Sequence, residues 1–160
     1  MSKTENVSWL LFAGVFFSVL ASAWLIYTGA EIAMASEREV LIAAIWRHIG
    51  YGAVLAPLFV CYLVWRIADY RRCPAQSLVG AVLFWSMIGV LAFLLLSGPV
   101  VVWTFGFPVR VFDWFEIPNP IGKLPALHDP LEQAHVVIGY AAALIILADF
   151  LAFMRRRLRA

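Results

Sequence analysis

Two short runs in this chain carry residue types that could do chemistry, His48-Ile-Gly-Tyr-Gly52 and His135-Val-Val-Ile-Gly139. In each, a histidine precedes a glycine by one helical turn, so the imidazole and the bare backbone lie on the same helix face. A flat macrocycle whose iron is held by an imidazole needs a side-chain-free surface beside that ligand, and glycine supplies one. Two such helices facing each other would hold one haem between His48 and His135, with Gly52 and Gly139 beside it. A single histidine near a helix end is more often an interfacial, hydrogen-bonded residue than a ligand. Two at matched depth, each with its glycine, favour axial ligation. Zinc is the weaker reading, because no cysteine or further histidine stands near in spacing to complete four ligands.

The elements that must position these residues are apolar helices. Of 160 residues, 64% are hydrophobic and 14% charged, and the mean hydropathy is +0.88. Such a composition belongs to a polytopic membrane protein in a lipid bilayer, not to a soluble domain. The net charge is only +2, and no basic stripe interleaves with aromatics, so a nucleic-acid partner is excluded. Cys61 sits inside an apolar run and Cys73 beside Arg71 and Arg72. Neither belongs to a C-x-x-C-H motif, so haem would be bound non-covalently, and the two cysteines read as inert.

Four spans follow, at about residues 9–32, 41–67, 78–102 and 133–154. In the first, Ala21-Ser22-Ala23 resembles a signal cleavage site. The apolar run nevertheless continues through Tyr27, long enough for a retained span. Pro57 should bend the second span. The connection over residues 103–132 holds Pro108, Pro118, Pro120, Pro125 and Pro130 among six Trp and Phe residues. It reads as a folded cap with a short interfacial helix, its aromatic rings at headgroup depth. Basic residues set the orientation. Lys3, Arg66, Arg71, Arg72, Arg155, Arg156, Arg157 and Arg159 lie on one side, and Arg38, Arg47, Arg110 and Lys123 on the other. The excess places both termini in the cytoplasm. The fold class is therefore an all-α membrane protein, a four-transmembrane-helix bundle with both termini cytoplasmic. His48 and His135 then open the second and fourth spans at the same, outer surface.

The run Gly106-Phe-Pro-Val-Arg-Val-Phe-Asp-Trp-Phe-Glu-Ile-Pro118, followed by Glu132-Gln-Ala-His135 and matched by His48 and Trp65-Arg66, resembles the small four-helix bacterial cytochrome b561 family. That family is related to the cytochrome b subunits of hydrogenases and formate dehydrogenases. The resemblance covers most of the chain and is specific over residues 106–139 and around His48. It implies haem b and electron exchange with membrane quinone in the bacterial inner membrane. Typical members hold two haems, the inner one between a first-helix His-Trp and a second fourth-helix histidine two heptads beyond the first. Here Ser8-Trp9 and Asp149 stand at those places. One outer haem, on His48 and His135, is what this departure leaves.

The other polar residues have plain readings beside functional ones. Asp149 is expected to pair with Arg66 or an arginine of the tail. Arg47 either neutralises a haem propionate or anchors the interface. His128 reads as a surface residue ahead of a proton acceptor for quinol or a partner contact, and Tyr51 and Tyr140 read as packing residues. The expected function is a single-haem b-type cytochrome, exchanging electrons between membrane quinone and a periplasmic redox protein or the subunits of a larger respiratory or photosynthetic complex. Quinone-linked superoxide oxidation, an activity of the two-haem relatives, is less secure without the inner haem. The alternative is a haem-free structural or accessory subunit bracing a larger assembly. A transporter or channel is disfavoured, since no span carries a polar stripe.

Overall fold

The computed structural model describes residues 3–72 and 78–157. Cys73 and Arg159 lie outside the described residues. Four long helices carry the fold: α1 (Lys3–Met34), α2 (Arg38–Arg72), α3 (Leu78–Phe105) and α4 (Pro125–Arg157). Each contains a stretch long and apolar enough to cross a membrane. A two-stranded antiparallel hairpin, β1 (Val109–Val111) and β2 (Phe115–Ile117), interrupts the chain between α3 and α4.

Local chemistry sets the helix ends. α3 stops at Gly106, whose φ of 109° a side chain would resist. The amides of Gly106 and Phe107 bond back to the carbonyls of Trp103 (2.9 Å) and Val102 (3.3 Å), the paired pattern of a Schellman stop. Asn119 closes the same end, its Nδ2 donating to the Trp103 carbonyl at 2.8 Å. α4 opens on Pro125, where a missing amide costs nothing, and its first turn bonds to the Leu124 carbonyl. Pro57, Pro99 and Pro130 all lie inside unbroken helices.

Two expectations about the connection are corrected. Residues 103–132 contain the hairpin and no short interfacial helix, and the fourth helix begins at Pro125, not near residue 133. Alternation in Val109-Arg-Val111 explains the first: both valines are buried while Arg110 is exposed, as one face of a strand requires. Arg110 meets its cross-strand partner Glu116 at 2.6 Å.

The bundle is a square in which neighbours touch along α1–α2, α2–α3, α3–α4 and α4–α1, leaving α2 and α4 on a diagonal with no close backbone approach. The apolar core lies toward the end opposite the hairpin, around Phe59, Tyr62, Phe84, Met87, Leu91 and Ile146. There α2 meets α3 directly, with Tyr70 stacked on Phe84 at 4.1 Å between centroids. At the hairpin end, β1 packs against both α2 and α3. The histidines sit at that end.

Candidate functional site

His48 lies ten residues after Arg38, the first residue of α2, and His135 ten residues after Pro125, the first of α4. At about 1.5 Å rise per residue, each stands about 15 Å along its helix from the hairpin end. The two predicted ligands thus stand at matched depth on diagonal helices.

Each imidazole is held through the same nitrogen by a hydroxyl of the adjacent helix. Thr28 Oγ1 of α1 is 2.9 Å from His48 Nδ1, and Ser97 Oγ of α3 is 2.8 Å from His135 Nδ1. In both cases the next residue is glycine, and the ring lies against it. A Cβ on Gly29 would be 3.6 Å from His48 Cε1, and one on Gly98 would be 3.5 Å from His135 Cε1. Thr28 donates its own proton to the Leu25 carbonyl at 3.1 Å. With that proton on the Leu25 carbonyl, its oxygen is open to accept from His48 Nδ1–H, the tautomer that leaves a lone pair on Nε2. A hydrogen bond that fixes one ring nitrogen and frees the other is the arrangement of a metal-ligating histidine.

The i+4 glycines are open. A Cβ on Gly52 or on Gly139 would meet nothing within 4 Å. Among the described residues there is no group of three or more His, Cys, Asp or Glu that could hold a metal ion. An iron porphyrin brings four ligands of its own and asks for two imidazoles and flat room beside them. The residues present fit such a group: His48 and His135 could hold it, with open space at Gly52 and Gly139.

The remaining candidates make other contacts. Arg47 makes a 3.1 Å ion pair with Glu31, tying α2 to α1. His128 is not a surface residue. It lies within α4 with its side chain only 15% exposed, its Nδ1 at 3.2 Å from the Val101 carbonyl and 3.3 Å from Thr104 Oγ1. Phe105 meets the ring edge-on, and Glu132 stands 3.7 Å from Nε2. Tyr51 packs between Trp24 and Phe112, whereas Tyr140 is exposed.

At the far end of the diagonal, Asp149 of α4 accepts from Arg66 of α2 at 2.8 Å and from Tyr62 at 3.2 Å. The expected pairing is thus with Arg66. The Asp149 carboxylate is engaged in a buried ion pair.

Sequence reading missed Thr28, Ser97 and Gly50. The first two carried a signal, a hydroxyl residue followed directly by glycine inside an apolar helix. Gly50 is one point at which the hairpin touches α2: Phe112, held at a φ of 49°, lays its ring on the glycine, and a Cβ there would be 2.9 Å from Phe112 Cε1.

Comparison of the chain with protein-family models, with curated proteins and with solved structures finds no match in any of the three.

Proposed function

We propose that this chain is a b-type cytochrome of the bacterial inner membrane, with one non-covalent haem b on His48 and His135 and with both termini in the cytoplasm. The observation that carries this reading is the twinned support of the imidazoles: two Nδ1 atoms tied to hydroxyls at 2.9 and 2.8 Å on adjacent helices, at equal depth on diagonal helices. When bound, the haem supplies one-electron chemistry at its iron. His48 and His135 would hold it, Thr28 and Ser97 would fix the ring orientations, and Gly52 and Gly139 would leave room for it. The apolar helix walls keep water out and set a low local dielectric.

The role that follows is electron transfer between membrane quinone and a periplasmic redox protein, or within a larger respiratory or photosynthetic complex. Support for a quinone partner comes from the resemblance over Gly106–Pro118 and from the depth of the site, which lies within the candidate spans of α2 and α4. Support for the orientation comes from the eight basic residues on one side against four on the other.

A dithionite-reduced minus oxidised spectrum with haem quantitation, on wild type and His135→Ala, tests the reading. About one b-type haem per chain, lost in the variant, is expected from a bis-histidine site. Wild-type protein purified without haem overturns it and leaves the bracing subunit as the account.

A further inference from the structure

The two imidazoles are supported by the same device, but the two hydroxyls differ in what else they do. Thr28 is buried, at 1% exposure, and donates to the Leu25 carbonyl. A hydroxyl has one proton, and with the Leu25 carbonyl at 3.1 Å to take it, Thr28 can accept from His48 without stranding that proton. Ser97 is also buried, at 4% exposure, and among the described residues its hydroxyl has no hydrogen-bond partner except His135. It is free to donate to Nδ1 or to accept from it.

Iron on Nε2 requires the proton on Nδ1. His48 can take that arrangement with the Thr28 proton still on the Leu25 carbonyl. His135 reaches it only when Ser97 turns to accept, which leaves the serine proton without an acceptor in a buried place, an unfavourable state. We propose that Thr28 and Ser97 are positioning residues of the haem ligands and that they act unequally, Thr28 as a firm acceptor and Ser97 as a weak one. This rests on the haem reading above. An acceptor on Nδ1–H makes the imidazole a stronger electron donor, and stronger donation favours ferric iron. Thr28 therefore lowers the midpoint potential, and Ser97 lowers it less. Gly29 and Gly98 complete each seat from below by admitting the ring edge at 3.6 and 3.5 Å.

The test is a redox titration of the full-length protein, followed at the haem absorbance bands, with electron paramagnetic resonance of the ferric state. Thr28→Val removes the hydroxyl at nearly constant shape, Thr28→Ser keeps it, and Ser97→Ala removes the other. The expected result is a positive shift of the midpoint for Thr28→Val, a return to the wild-type value for Thr28→Ser, and a smaller positive shift for Ser97→Ala. The ferric low-spin signal should change with the potential. Should Thr28→Val fail to accumulate, Thr28→Ala reads the same quantity. Wild-type haem with potentials unmoved by loss of the Thr28 hydroxyl overturns this inference alone, as does a Ser97→Ala shift equal to or larger than that at Thr28. Wild type without haem overturns the haem reading and this inference with it.

Discussion

Arg66 of α2 reaches across the bundle to Asp149 of α4 at 2.8 Å, joining two helices whose backbones nowhere approach closely. The same two helices carry His48 and His135 at the other end. The diagonal is therefore bridged by charge at one end and faced by imidazoles at the other. Tyr62 adds its hydroxyl to the bridge, donating to Asp149 at 3.2 Å with Met87 Sδ at 3.4 Å.

Breaking this bridge from one side leaves a charge buried without its partner. Asp149→Ala should destabilise the protein by about 3–5 kcal/mol, read as thermal or denaturant unfolding in detergent. The double variant Arg66→Leu/Asp149→Leu should recover most of that loss, because a paired buried charge is not intrinsically better than apolar packing. Tyr62→Phe should cost about 1 kcal/mol, the value of one hydrogen bond. Equal damage from the single and double variants would falsify the bridge as the cause.

Gly50 and Phe112 should behave as a coupled pair. Gly50→Ala puts a methyl where the ring now lies and should cost about 1–3 kcal/mol through overpacking. In a Phe112→Ala background the same change should cost almost nothing, since the obstructing ring is gone. An undiminished cost in that background would show that the alanine clashes with something other than the hairpin.

Arg47 has two readings that one variant separates. Its ion pair with Glu31 is partly exposed, 46% and 23% for the two side chains, so Arg47→Ala should change stability by less than about 1 kcal/mol. Haem per chain should stay at the wild-type value. A fall in haem content would assign the guanidinium to a propionate instead.

His128 lies seven residues before His135 on α4, yet its contacts hold α4 to the end of α3. His128→Gln should therefore leave haem content and the reduced spectrum unchanged, and cost about 1 kcal/mol for the bond to the Val101 carbonyl. Loss of haem in this variant, measured beside His48→Ala and His135→Ala, would place a third histidine in the ligand set.

Asp149 lies only about 9 Å of helix rise from Arg155, so the sequence points to Arg66 or an arginine of the tail as its partner, and the structure supplies Arg66 together with Tyr62. Tyr62 is not legible in advance, because nothing in an apolar helix marks which of its tyrosines turns inward. The early start of α4 escapes for a related reason: five prolines in thirty residues read as a loop, but Pro125 opens a helix, where its missing amide costs nothing, and Pro130 lies inside that same helix.

The sequence by itself determined the four long apolar helices, the glycine stop after α3, and the equal spacing of each histidine from its glycine. These are local properties: run length, missing amides and a period of 3.6 residues are written along one strand of chain. Only the tertiary structure decided that α2 and α4 stand on a diagonal, that a hairpin packs against both α2 and α3, and that Thr28 and Ser97 take the Nδ1 atoms. Those partners are 20 and 38 residues away from their histidines. Which faces of two helices meet depends on how every side chain of the bundle packs at once, and no spacing within one helix records the rotation of its neighbour.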